Sequence, residues 1–205
     1  MATVGSALEG RSRKMLVTAL VVGLVATLAA VGTWSAFSSQ TSNGGKSFAA
    51  GTVYLSDNDA GSAMYSVTNR KPGQQVEQCI KVTYTGSLDA TVKLYTTSSI
   101  GSLGSYIDLT VEKGTSSGSP TFPACGTFTS ESTIYTGTLG GFASAKNSYA
   151  NGVAANPGSA TKWVANDELV YRFTLTLQDD NSANGANSGA LTSGSHGFTW
   201  EARNQ

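Results

Sequence analysis

From Leu169 to Gln178 the chain alternates without a break: Leu169, Tyr171, Phe173, Leu175 and Leu177 are separated by Val170, Arg172, Thr174, Thr176 and Gln178. A period of two puts every second side chain on the same face of an extended strand, so this stretch predicts a strand with one buried face. The pattern returns elsewhere. Val76, Gln78, Ile80, Val82 and Tyr84 share one face, with Glu77, Cys79, Lys81 and Thr83 on the other. Ala90, Val92 and Leu94 predict a strand that pairs with the preceding one as a hairpin or faces it across a sandwich. Ile107, Leu109 and Val111 predict another, and Phe198, Trp200 and Ala202 a closing one. No segment of the domain holds a 3.6-residue period. The expected fold is therefore all-β, an antiparallel two-sheet jelly-roll or β-sandwich, preceded by an amino-terminal signal helix. Composition agrees: charged residues make up 13% of the chain and 24 of its 205 residues are glycine, which suits exposed strands and many turns.

The amino terminus has a different character. Arg11, Arg13 and Lys14 precede the uncharged apolar run Met15 to Val31, and the small residues Ser35 and Ala36 follow. Charged, apolar and small-residue regions in that order predict a secretory signal over residues 1–36, with cleavage near Ala36. The run is long for a signal, so retention as an anchor is the alternative. In either case the remainder lies outside the cytoplasm, and signal peptidase is an expected partner. Without Glu9, Arg11, Arg13 and Lys14 the chain keeps ten basic and twelve acidic residues. So weak a charge gives no electrostatic reason to expect nucleic acid as a partner.

Residues 37–46, polar and glycine-containing, predict a mobile arm that leads into the single domain, 47–205. Ser47 to Leu55 is the first β-capable segment after the signal, and Gly51 within it predicts a bulge or a close approach. Such a leading strand can pair within its own domain or leave it and pair with a neighbour. Its named residues are Phe37, Phe48, Ala49, Gly51, Val53 and Leu55. Ser56 to Gly61 predicts a turn, Met64 to Val67 a short strand, and Pro72-Gly73 a tight turn. Residues 114–159 predict long connections with one or two short strands between Thr127 and Leu139. Cys79 and Cys125, the only cysteines, predict one disulfide in an exported chain. It would close a loop of about 47 residues and contribute about 4 kcal/mol on the chain-entropy model.

Catalytic patterns are scarce. His196 is the only histidine, so neither an H-E-x-x-H zinc helix nor a site with two histidine ligands can be assembled; it is expected to be an exposed turn residue in Gly194-Ser195-His196-Gly197. No serine lies in a nucleophile elbow. Asp57-Asn58-Asp59, Asp167-Glu168 and Asp179-Asp180-Asn181 are acidic turns without the spacing of a calcium loop. Tyr54, Tyr84, Phe173 and Trp200 are expected to pack in the core. The reading therefore has no catalytic, cofactor or metal residues, and no enzyme.

Three blocks resemble the TasA/camelysin family of exported matrix proteins: Ser47 to Leu55 after Ala36-Phe37-Ser38; Asn69-Arg70-Lys71-Pro72-Gly73, a strand and Thr85-Gly86-Ser87-Leu88; and Phe198-Thr199-Trp200-Glu201-Ala202. The resemblance implies a secreted or cell-surface jelly-roll subunit that forms fibres or pili of the biofilm matrix. In such fibres one copy's leading segment adds a strand to the next, giving a head-to-tail homopolymer with itself as partner. Other matrix or surface proteins are further expected partners. Two alternatives stand beside it: a surface peptidase of camelysin type, and a monomeric membrane-anchored binding module.

Overall fold

The structure, a computed structural model, describes residues 50–66, 70–118, 121–180, 182–183 and 191–204. The signal region, Ala36 with its cleavage site, Phe37, Phe48 and Ala49 lie outside the described residues. Among the described residues eight strands form in chain order: β1 (Leu55–Asp57), β2 (Gln75–Tyr84), β3 (Ala90–Tyr95), β4 (Ile107–Ser116), β5 (Phe128–Thr138), β6 (Val153–Ala154), β7 (Glu168–Leu177) and β8 (Thr199–Asn204). A 3-10 turn, Ser102–Tyr106, precedes β4, and a short helix, α1 (Leu139–Ala145), follows β5.

All pairings between these strands are antiparallel, and they form two sheets, ordered β1-β2-β7-β4-β5 and β6-β3-β8. The all-β two-sheet expectation holds. The most regular stretch of the sequence, β7, is the central strand of the larger sheet, paired with β2 on one side and β4 on the other. Its position explains the regularity: a central strand has ladder neighbours on both sides and its apolar face in the core, so little can vary. β3 lies across the sandwich from β2, so of the two pairings open for it the hairpin is not formed.

The core joins the inward faces. Ile80, Val82 and Tyr84 of β2, Leu109 and Val111 of β4, and Leu169, Tyr171 and Phe173 of β7 meet Val92 and Leu94 of β3. From β8 and the residue before it, Trp200 stacks against Tyr171 at 5.4 Å and Phe198 against Phe173 at 4.4 Å between ring centroids. Fully burying each large side chain contributes about 1.5–3 kcal/mol.

Several local expectations are corrected. Met64 to Ser66 form no strand, and Val67 lies outside the described residues. The turn expected from Ser56 begins later, since β1 runs to Asp57. In place of short strands around Thr127 to Leu139 there is one strand of 11 residues followed by a helix. The Thr138 hydroxyl caps that helix, accepting the Gly141 N–H at 3.0 Å, and Leu139 and Phe142, three residues apart, insert into the core. Trp163, fully buried, had no periodic context to announce it. It exchanges both backbone bonds with Ala90 and donates its indole N–H to Ala155 O at 2.7 Å, which joins the β6–β7 connection to the smaller sheet.

Candidate functional site

The leading segment comes first. Leu55, Ser56 and Asp57 pair with Tyr84, Thr83 and Val82 at the edge of the larger sheet. Upstream of β1 the contact continues as single bonds: Thr85 N–H to Tyr54 O at 3.0 Å, and Ser87 and Leu88 N–H to Thr52 O at 2.9 and 3.2 Å. Thr52 N–H is held by the Ser87 hydroxyl at 2.9 Å. Val53 and Leu55 pack against the core. Tyr54, between them, points the other way and is 61% exposed, so its expected place in the core is corrected. Of the two readings for Gly51 the close approach is seen, since a methyl group there would collide with the Leu88 side chain. Of the six named residues, Leu55 pairs with this chain's own β2, Val53 packs against its core and Gly51 lies against Leu88, beyond the end of β2. The segment takes the first of its two options along its described length.

The outer flank of β2 is filled below β1 as well. Asn58 exchanges bonds with Lys81, its N–H to Lys81 O at 3.2 Å and its Oδ1 accepting Lys81 N–H at 2.8 Å. Cys79 N–H then donates to Pro123 O at 2.8 Å. Pro123 belongs to the β4–β5 connection, which crosses back over β7 to reach β2, and Cys125 of that connection forms a disulfide with Cys79, Cα to Cα 5.2 Å. The crossing explains why Cys79, on the polar side of the alternation, is only 2% exposed. Beside it Arg172 binds Glu112 through Nε at 2.7 Å and Glu77 at 3.4 Å, and stacks on Phe128 with 4.7 Å between guanidinium and ring centre. One covalent link, one ion-pair network and one aromatic stack hold a belt across β2, β7 and β4.

His196 is not the exposed turn residue expected of it. Its Nδ1 bonds Gly194 O at 3.0 Å and its Nε2 bonds the Tyr65 hydroxyl at 2.6 Å, and it is half-buried. A carbonyl oxygen only accepts, so Nδ1 carries the proton and Nε2 accepts from Tyr65. Burial pushes the Tyr65 hydroxyl well above its ordinary value, which keeps it protonated as that donor. The acidic turns use their oxygens internally. Asp57 Oδ1 accepts Asp59 N–H, Asp59 Oδ1 accepts Gly61 N–H, Asp167 Oδ2 accepts Val164 N–H, and Asp180 Oδ1 accepts Ser182 N–H. Glu168 pairs with Lys81 at 2.8 Å. An open cleft of about 630 Å³ between the Thr96–Ser105 stretch and α1 is lined by hydroxyls, glycines and Asn147, with no titratable side chain in its wall.

Residues 12–106 match the family model described as camelysin metallo-endopeptidase, which bears out the TasA/camelysin resemblance over that part of the chain. No curated protein matches the chain. The family's name implies a metal ion, and the described residues do not fit one. The single histidine has both ring nitrogens engaged, both cysteines are in the disulfide, and among the described residues no three histidine, cysteine, aspartate or glutamate side chains converge. Among the described residues, too, no helix is long and apolar enough to cross a membrane.

Proposed function

We propose that this chain, camelysin-like over residues 12–106, is an exported structural subunit that assembles into extracellular fibres through its leading segment. The observation that carries the reading is the way Thr52 to Asp57 is attached. It lies at a sheet edge, its ladder is three residue pairs long, and upstream of that ladder its only hydrogen bonds among the described residues are those of Tyr54 O to Thr85 and of Thr52 to Ser87 and Leu88. Strand exchange between copies replaces one such set of bonds by an equivalent set, so the balance between monomer and polymer is set by a few edge interactions. Val53 and Leu55 supply the side chains that seat the strand, and Phe37, Phe48 and Ala49 extend the same segment. Signal peptidase and a second copy of the chain are its partners in this account, and other matrix or surface proteins can join the fibre.

The test is direct. Chain recovered from the producing cells, imaged at rising concentration, forms filaments; removal of residues 37–55 leaves monomers. Polymerisation that survives the deletion overturns the proposal.

The family's printed name favours a second reading, a surface peptidase. Casein cleavage abolished both by a chelator and by His196→Ala would establish it, and cleavage indifferent to both would remove it. A monomeric membrane-anchored binding module is distinguished by mass spectrometry of the exported amino terminus, which retains Met15 to Val31 only in that case.

A further inference from the structure

We propose that Lys113 and Asn156 become joined through their side chains by an intramolecular amide bond, formed with loss of ammonia and with Glu131 carrying the protons.

The parity of β4 makes Lys113 an anomaly. Leu109, Val111 and Lys113 alternate along the strand, and their partners on β7 are Leu175, Phe173 and Tyr171, without a shift. The apolar members of these pairs are all buried in the core, so a lysine stands on the face that should be apolar. Its side chain is 13% exposed. A charge in such a place is costly unless polar atoms surround it, and three oxygens do. Nζ donates to Asn156 O at 2.6 Å and to Gly158 O at 2.8 Å, and lies 3.5 Å from Glu131 Oε2.

Glu131 reaches Lys113 because of a bulge. The pairing of β4 with β5 runs from Lys113 and Ser132 to Gly114 and Ser130, which leaves Glu131 as the extra residue of β5. An extra residue re-aims its side chain, and here a carboxylate is brought to the buried ammonium. The Gly158 N–H, at 3.2 Å, holds the same oxygen.

Asn156 supplies the electrophile. It lies just beyond β6 of the smaller sheet, and its backbone oxygen is the nearest of the three around Nζ. Its side-chain Oδ1 is buried and has no hydrogen-bond partner among the described residues. A buried carboxamide oxygen left in that state has lost water and gained nothing, which is uncommon in a folded chain. No bond therefore holds the carboxamide away from the amine that already touches the same residue.

An amine, a carboxamide and a carboxylate gathered where water is scarce are the reactants and the acid–base group of amide exchange. Tyr171, opposite Lys113, and Trp200, stacked on Tyr171, wall the place with aromatic surface. The Glu131 carboxylate takes a proton from the Lys113 ammonium, and the neutral Nζ attacks Cγ of Asn156, with Oδ1 bearing the negative charge of the adduct. Glu131 hands its proton to Nδ2 as the Cγ–Nδ2 bond breaks. Ammonia leaves, and the second proton that Nζ sheds departs with it as ammonium. One carbon–nitrogen bond forms and one breaks, no oxidant or cofactor enters, and Glu131 ends as the carboxylate it was. The product ties β4 of the larger sheet to the chain that follows β6 of the smaller one, and it removes a buried positive charge.

The test is the intact mass of chain recovered from the producing cells, read after reduction of the Cys79–Cys125 disulfide. The expected mass falls short of the same chain, counted from its observed amino terminus, by one ammonia. Proteolysis is expected to give a branched peptide joining the segments that hold Lys113 and Asn156, with no tryptic cut after Lys113. Lys113→Arg, Asn156→Ala and Glu131→Gln each restore the full mass. Glu131→Gln separates chemistry from packing, since both reacting side chains remain and only the proton carrier is gone. Should a variant fail to fold, the wild-type peptide map still decides. Full mass in the wild type, with an ordinary cut after Lys113, overturns the proposal and leaves Lys113 a caged ammonium. An ammonia deficit that maps to Asn151-Gly152 as a closed imide, with no branched peptide, overturns it as well. A branched peptide at the wild-type level in Glu131→Gln overturns the part given to Glu131. None of these readings depends on whether filaments form.

Discussion

Replacing Cys79 and Cys125 together by alanine removes the covalent part of the belt and little else, because Cys79 is buried beside Arg172 rather than in the main core. The linked residues are 46 apart, and closing a loop of that size in the unfolded chain is worth about 4 kcal/mol on the chain-entropy model. The Cys79 N–H bond to Pro123 O, 2.8 Å, rests on a connection that the disulfide holds in place, and its loss adds about 1 kcal/mol. For a domain of this size each kcal/mol moves the midpoint by about 2–4 °C, so a drop of about 10–20 °C is expected. Calorimetry of the oxidised wild type, the reduced wild type and the double variant gives the shift. Urea unfolding of the same three gives the free energy, with the slope reporting compaction of the unfolded state. A loss below about 1 kcal/mol with an unchanged slope would refute the reasoning, since Arg172 and Phe128 would then hold the belt unaided.

Arg172→Ala removes contacts with Glu77, Glu112 and the Phe128 ring at once, and a loss of about 1–2 kcal/mol in urea unfolding is expected, with Arg172→Lys recovering little of it because ammonium cannot reproduce the fork and the stack. Thr138→Ala leaves the first turn of α1 uncapped and costs about 1 kcal/mol, whereas Thr138→Ser, which keeps the hydroxyl, should cost far less by the same measurement. Gly51→Ala forces the Leu88 side chain aside and should speed amide exchange over residues 52–57, with Leu88→Ala restoring it. Desolvation raises the Asp57 carboxyl, so its ionisation opposes folding: the contribution is whole below the ordinary carboxylate value and is lost as pH rises through the raised one. Asp57→Asn should therefore melt above the wild type at about pH 7 and level with it at about pH 3.

Where two neighbouring strands and a buried face constrain a segment, alternation made it legible, as for β7 and the inward residues of β2, β3 and β4. Legibility failed where another element supplies the burial. Cys79 sits on the polar side of β2 and is covered by a connection from the far end of the sheet. Trp163 is fully buried with no periodic neighbours, because its bonds run to Ala90 and Ala155 rather than along a strand of its own. In α1, seven residues are too few for a period of 3.6 to emerge, although Thr138 followed by Leu139 and Phe142 was a signal of cap and buried face. Of the described residues of the leading segment only Leu55 lies in a strand, β1, with Gly51 and Val53 in the stretch before it, and Tyr54 lies outside the core although its aromatic ring suggests otherwise. Alternation around Val53 and Leu55 assigns Tyr54 to the outer side.

The belt and the leading segment attach to the same strand by unequal means, and that inequality bears on how such a domain could exchange strands without unfolding. β2 is bound to β7 over nine residue pairs and to the β4–β5 connection through Cys79 and Cys125, so it is fixed from Gln75 to Thr83. β1 holds the same strand by three pairs at its far end. Local opening takes the path with the fewest bonds, and here that path frees β1 while the disulfide keeps β2 in register with the core. A disulfide placed on β1 would have locked the leading segment; placed on β2, it stiffens the strand to which that segment is attached.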